Sequence, residues 1–197
     1  MKLTSALLVV GTLLLSTTAF AQDAVYASPA PGPIASEGGG LHDTTEHERP
    51  MTASAMLYVP WIYGIGIGGK FGFEIPVAKN GFIPKLNDSV SIEPSLSMAY
   101  TSWYGLDSSH GALFLPAVSG LWNFHLKPDL RVYGAVNVGV NIYSIKWDGL
   151  YNDNGRHSYF RPYVELAGGV FWKFNDRMAL RGELGWYGPR GGISFFF

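Results

Sequence analysis

Arg190-Gly191-Gly192-Ile193-Ser194-Phe195-Phe196-Phe197 is the stretch whose reading decides the fold. Ile193, Phe195 and Phe197 alternate, and the last of them is also the last residue given. Successive side chains of a β-strand point to opposite faces, so these three share one face. A water-soluble domain gains little from a final strand whose apolar face ends on an aromatic ring. A closed barrel in a membrane does gain, because its last strand pairs with its first and turns that face to lipid.

The opposite end reads as a signal peptide over residues 1–21. Met1-Lys2 is a short positive start, Leu7 to Leu15 is apolar apart from Gly11 and Thr12, and Ala19-Phe20-Ala21 is a small-x-small cleavage site. The mature chain is expected to begin at Gln22, with Val25-Tyr26-Ala27 as a second possible cut. The apolar run is too short to span a bilayer comfortably as a helix. The chain has no cysteine, which excludes a lipid-attachment cysteine and a disulfide framework.

Following an export signal, the last eight residues resemble the C-terminal assembly signal of bacterial outer-membrane β-barrels. That pattern runs polar, any, Gly, any, any, aromatic, any, aromatic, and Arg190, Gly192, Phe195 and Phe197 fill its defined slots. The resemblance implies recognition by the barrel-assembly machinery and an outer-membrane location in a Gram-negative bacterium.

Composition points the same way. Charged residues are 15% and aromatic residues 15% of the 197, with 25 glycines. That is little charge and much aromatic surface for a soluble domain. Yet after residue 21 no run of ~20 apolar residues occurs, so no transmembrane helix is expected. A membrane β-barrel reconciles the two, since its apolar residues fall at every second position. A net charge of −1 gives no reason to expect a nucleic-acid partner.

Residues 22–50 read as a disordered Pro/Gly-rich periplasmic extension. They contain Pro29, Pro31, Pro33 and Gly38-Gly39-Gly40 and have no apolar period. His42 and His47 with Asp43, Glu46 and Glu48 are metal-ligand types. A metal site needs a fold to hold its ligands, so a solvated acidic run is the plainer reading.

Residues 51–197 read as the barrel. Runs of period two begin at Ile65, Val90, Phe114, Leu130, Tyr159, Met178 and Arg190. The run Leu130 to Tyr143 is the clearest; Phe114 to His125 is the least clean, and Pro94 is a blemish in the second. Bacterial single-chain barrels have an even strand number, so Thr52 to Val59 is taken as an eighth, first strand. Lys127-Pro128-Asp129 and Asn175-Asp176-Arg177 read as short periplasmic turns, and Tyr104–Gly111 and Asp148–His157 as longer outer loops. Ala78 to Ser89 is an unexplained long turn on the periplasmic side. The fold expected is an all-β, closed, antiparallel, up-and-down transmembrane barrel of eight strands, with the N-terminal extension and C-terminus in the periplasm.

The two faces differ in polarity. Lys70, Glu74, Glu93, Arg131, Arg161, Glu165, Lys173, Arg181 and Glu183 all fall on the non-apolar face, five basic and four acidic. Arg or Lys facing lipid at mid-depth costs roughly 2–4 kcal/mol, which would produce this one-sided distribution. The interior of an eight-stranded barrel is just wide enough to be filled by side chains. The nine are therefore expected to form a paired lumen network. A catalytic carboxylate pair, Glu165 with Glu183, is the sharper alternative, but internal salt bridges need the same residues. Trp122, Phe124, Trp172 and Phe174 lie on the apolar face just before short turns, where an interfacial girdle belongs.

Little else suggests chemistry. Asp107-Ser108-Ser109-His110 and Asp153 with His157-Ser158 hold nucleophile and base types at the outer rim, but these are also ordinary loop residues. Some small outer-membrane barrels modify lipid A; no convincing copy of their active-site motifs is present. Gly64, Gly66, Gly68 and Gly69 are followed by no Gly-Lys-Ser/Thr, so no phosphate loop is expected. The general pattern resembles the small barrels that include the membrane domain of outer-membrane protein A and predicted porin-like families. No cofactor and no metal are expected. The function expected is non-enzymatic, envelope-structural or surface-binding through the outer loops, in a monomer whose partners are outer-membrane lipids and the assembly machinery. The alternatives are a narrow pore for ions or small solutes, or a lipid-modifying enzyme.

Overall fold

The computed structural model describes residues 39–62, 64–103, 108–148 and 156–197. The signal-peptide expectation and the part of the extension before residue 39 lie outside them. Eight strands follow in order: β1 Thr52–Tyr58, β2 Ile65–Ala78, β3 Asp88–Trp103, β4 Ser108–Lys127, β5 Leu130–Asp148, β6 Arg156–Asn175, β7 Met178–Gly185 and β8 Gly188–Phe196. Each pairs antiparallel with the next, and β8 returns to β1, so the sheet closes as an up-and-down barrel. The eighth strand inferred from parity is β1, and the eight-stranded antiparallel fold is as expected.

Closure runs through the decisive C-terminal stretch. Gly192 lies opposite Met56 and Phe195 opposite Ala53. Gly192 faces inward, where an added Cβ would stand 2.1 Å from the Ala55 carbonyl oxygen. Ser194 and Phe196 point in and are buried, while Ile193, Phe195 and Phe197 point out.

Prolines sit where the ladders allow a missing N–H. The β2–β3 register passes from Gly72↔Ser95 to Ile75↔Ile92, leaving a gap at Pro94. The β4–β5 register skips from Phe114↔Ile142 to Ala117↔Gly139, a gap at Pro116. Pro162 lies on β6 beyond the last pairing with β7, Ala167↔Gly185. From Arg156 to Leu166, β6 therefore pairs only with β5. Strands β3 to β6 have 16 to 20 residues, whereas β7, β8 and β1 have 8, 9 and 7. The wall is tall on one side and low on the other.

The outer wall is apolar. Leu57, Ile67, Phe71, Val118, Val136, Val138, Val164, Leu166, Leu180 and Leu184 are all exposed on it. The inner positions hold the charge: Lys70, Glu74, Glu93, Arg131, Glu165, Arg181, Glu183 and Arg190 are each at most 5% exposed. A water-soluble barrel has the reverse polarity. Carboxylates and guanidinium groups gathered inside, with branched aliphatics outside, are the distribution expected of a wall bathed in lipid.

Two apolar clusters share the lumen with those charges. One holds Tyr58, Leu113, Leu115, Tyr143, Ile145 and Tyr163; the other, toward the chain termini, holds Leu121, Tyr133, Ala135, Phe171, Ala179 and Phe196. Leu113, Leu115 and Leu121 explain why the β4 run alternates poorly: its inner face meets apolar clusters, so both faces are greasy.

Residues 39–50, the described part of the expected extension, lie against the turn between β2 and β3. Leu41 accepts the Asn87 N–H at 2.7 Å, and the Asn87 carboxamide donates to the Gly39 and Gly40 carbonyls. Arg49 donates to the Asn87 side chain at 2.6 Å and to the Lys79 carbonyl. The β2–β3 ladder ends at Ala78↔Val90, and beyond it the turn and the strap bond to one another around Asn87. The long turn 79–87 and this strap are thus one local structure at the terminal end of the barrel.

Candidate functional site

The site is the charge layer of the lumen. Inward parity on β2, β3, β6, β7 and β8 brings Lys70, Glu93, Glu165, Arg181, Glu183 and Arg190 together, three cations with three carboxylates. Glu183 is the hub. It receives Lys70 Nζ at 3.0 and 3.1 Å, Arg181 Nη2 at 3.1 Å, Arg190 Nη1 at 2.6 Å and the Tyr133 hydroxyl at 2.8 Å. Arg181 also donates to Glu93, to Ser54 Oγ at 3.0 Å and, through Nε, to the Tyr133 hydroxyl at 2.9 Å. Lys70 meets Glu93 Oε1 at 3.1 Å, an ionic contact whose angles do not make a hydrogen bond.

Glu165 is the second hub. Arg190 Nη2 reaches it at 2.7 Å, Asn137 donates at 3.0 Å, the Tyr163 hydroxyl donates, and the Tyr187 backbone N–H donates at 2.9 Å. Nearer the termini, Glu74 forms its own bidentate pair with Arg131 at 3.2 and 2.8 Å and also takes a hydrogen bond from Asn123. The Arg131 guanidinium lies 3.9 Å from the Phe171 ring centroid, and Arg181 lies 4.7 Å from the same ring on its own account. Buried ions are tolerable only when paired and hydrogen-bonded on several sides, and planar guanidinium groups also stack on rings. Charge, hydroxyl and aromatic faces here answer one another across the barrel.

Two expected members lie elsewhere. Arg161 is exposed, its guanidinium 5.7 Å from the Tyr159 ring centroid and outside the buried cluster. Its parity is inward, but it lies on β6 beyond the end of β7, where the opposite wall is low. Lys173 is half-buried, with its ammonium 4.6 Å from the Phe196 ring centroid. Arg190, which the sequence assigned to the assembly pattern, takes a place in the network instead of leaving its polar slot to the surface. Tyr133, Tyr163, Asn137 and Ser54 complete the network, and parity places each of them on the inward face with the charges.

The girdle residues Trp122, Phe124, Trp172 and Phe174 all point outward near the terminal end. Trp122 packs on Phe124 at 5.1 Å between centroids. His47 bonds Asp43 and Thr45 at 3.1 and 2.9 Å within the strap. Hydrogen bonds from the Thr45 hydroxyl and amide, and from the Gly39 amide, hold the Asp43 carboxyl well below the usual carboxylate range. Among the described residues no group of three or more His, Asp or Glu is arranged around a metal position. Asp107 and Asp153 lie outside the described residues, as do the side chains of Ser108, Ser109 and His157.

Glu165 and Glu183 do not face an open cleft. Arg190 stands between them and bonds both, and each carboxylate is at most 4% exposed. The arrangement can hold charge and tie the strands together.

Comparison with known proteins gives fold-level similarity. No family model matches the sequence, and no curated protein matches it. Among solved structures the chain is similar to Ail, the attachment invasion locus protein of Yersinia pestis, with a TM-score of 0.49, 11% identity, and coverage of 76% of this chain and 100% of that one. The complex of Ail with the heparin analogue sucrose octasulfate gives a TM-score of 0.47 at 10% identity, with the same coverage. The N-terminal β-barrel domain of Pseudomonas aeruginosa OprF gives 0.44 at 15% identity, covering 74% of this chain and 97% of that one.

Proposed function

We propose that this protein is a non-enzymatic barrel of a Gram-negative outer membrane, closed to flow, that serves envelope structure and surface binding. The observation that carries the reading is the filled lumen, in which balanced ion pairs and packed aromatic and aliphatic side chains are buried together. The apolar outer wall supports residence in a bilayer. The signal peptide and the C-terminal pattern support the outer membrane and delivery by the barrel-assembly machinery. The short turns after β4 and β6 support a periplasmic location for that end and for both termini of the barrel. The protein acts as a monomer, since the sheet closes on itself within one chain.

The surface-binding part rests on the tall wall. Strands β3 to β6 outrun β7, β8 and β1, and β6 presents Arg156–Leu166 without a β7 partner. An unpaired strand edge offers backbone donors and acceptors to another chain. The deciding experiment is planar-bilayer recording of refolded protein. Absence of steady openings is expected. Large, steady, ion-selective openings would replace this reading with the pore. Altered acylation of lipid A in cells expressing the protein, seen by mass spectrometry, would replace it with the enzyme.

A further inference from the structure

The turn between β2 and β3 is built to present one aromatic side chain. Asp88, the first residue of β3, is 2% exposed. Its Oδ2 accepts the Phe82 backbone N–H at 3.0 Å and the Trp122 indole N–H at 2.7 Å. Its backbone carbonyl accepts the Gly81 N–H at 2.8 Å, and Leu86 N–H closes a tighter turn on Ile83 at 3.0 Å. A Cβ at position 81 would stand 2.1 Å from the Asp88 carboxylate, so a larger residue there would have to displace the group that holds the turn. The turn thus folds against Trp122 on the outer wall. Phe82 meets Trp122 edge-on at 5.9 Å, and Trp122 in turn packs on Phe124.

Phe82 itself is 74% exposed. In water, a buried carboxylate and two fixed hydrogen bonds that hold a phenyl ring out of any core bring no gain. At the boundary between headgroups and acyl chains they do, because aromatic rings are favoured there. The ring continues the outward aromatic belt of Trp122 and Phe124 beyond the last strand residue. Polar Asn80 and Lys85 flank it, exposed to water or headgroups.

We propose that the β2–β3 turn is a lateral membrane anchor, with Phe82 inserted into the phospholipid boundary beside Trp122 and Asp88 as the bracket that aims it. The proposal rests on the reading of the outer wall as lipid-facing. It extends to the strap: Asn87 of the same turn binds Gly39, Gly40, Leu41 and Arg49, so the anchor also fixes the chain entering β1 at the membrane surface.

The chain has no cysteine, so single labels are simple to place. The chain from Gln22 is refolded into vesicles of phosphatidylethanolamine and phosphatidylglycerol. Phe82→Cys, Asn80→Cys and Val138→Cys each carry an environment-sensitive fluorophore. The label at 82 is expected to be quenched at least twofold more by a shallow doxyl lipid than by a deep one. The label at 138 should show the reverse order and that at 80 almost no quenching. An unquenched label at 82 with a quenched one at 138 overturns the anchor and leaves the lipid-facing wall standing. An unquenched label at 138 overturns both. Adding Asp88→Ala to the Phe82→Cys chain should at least halve quenching at 82. Trp122→Phe keeps the ring, removes the donor and tests the same bracket should Asp88→Ala not fold. Full quenching in the folded bracket variant would overturn the role of Asp88.

Discussion

Arg190 and Glu183 are direct partners in the β7–β8 ladder, and their side chains meet at 2.6 Å inside the barrel. Cross-strand neighbours on one face are the unit of sheet stabilisation. Here the pair does more, because Glu183 also binds Lys70 of β2 and Arg181 of β7, while Arg190 reaches Glu165 of β6. One ladder rung thus ties four strands.

Glu183→Ala removes the common partner of three buried cations. Breaking a buried pair by removing one partner costs about 3–5 kcal/mol. Urea titration of the barrel refolded in lipid vesicles should register a loss of that size. A loss under ~1 kcal/mol would mean that water reaches the cluster and screens it.

Arg161→Ala and Arg181→Ala should separate sharply. Arg161 is exposed beyond the low wall, so its loss is expected to stay within ~0.5 kcal/mol. Arg181 is buried among Glu93, Glu183, Ser54 and Tyr133. Its removal should destabilise the barrel strongly and raise conductance from near zero. Side-by-side bilayer recording and unfolding titrations check both, and equal effects would contradict the boundary drawn around the network.

Val138 is 54% exposed and its neighbour Asn137 is 2% exposed. Val138→Arg should cost roughly 2–4 kcal/mol in lipid. A spin label at 138 should be accessible to lipid-soluble quenchers and one at 137 shielded. Reversed accessibility would mean a register slipped by one residue.

Gly192→Val places a branched side chain where even a Cβ would meet the Ala55 carbonyl at 2.1 Å. Closure of β8 on β1 should fail, with loss of most heat-modifiable folded barrel on gels. Removal of Phe197 takes away an outward ring and the bond from its N–H to the Met51 carbonyl at 3.0 Å. Its expected effect is on insertion, a slower rate with a smaller yield, which time-resolved gel shifts would follow.

The Asp43 turn sets a pH expectation. A carboxyl held below its usual range stabilises its turn at pH values above that range, and the contribution is lost as pH falls through the lowered value. NMR shifts of Thr45 should therefore stay native-like at pH 4. Titration of the Thr45 amide near the ordinary Asp pKa would contradict the hydrogen bonds seen there.

Alternation placed the strands and their faces, and the C-terminal pattern with the export signal made them a membrane barrel. Leu130 to Tyr143 could only be a strand with two unlike faces, and the parity of Lys70, Glu93, Glu165, Arg181 and Glu183 already put them on one side. What period two cannot carry is height. Arg161 and Glu165 have the same parity, yet one is exposed and the other sealed, because β7 stops opposite Ala167 and strand lengths on the far wall are not written in β6. Nor could it name partners. Glu183 and Lys70 are 113 positions apart and meet through closure and shear, which depend on every strand at once. Residues 39–50 have no period, and the hydrogen bonds that Gly39, Gly40 and Arg49 make go to Asn87 and Lys79, 30 to 48 positions away, which no local pattern could name. Local pattern sets which face a residue takes; only the closed sheet decides what stands across from it.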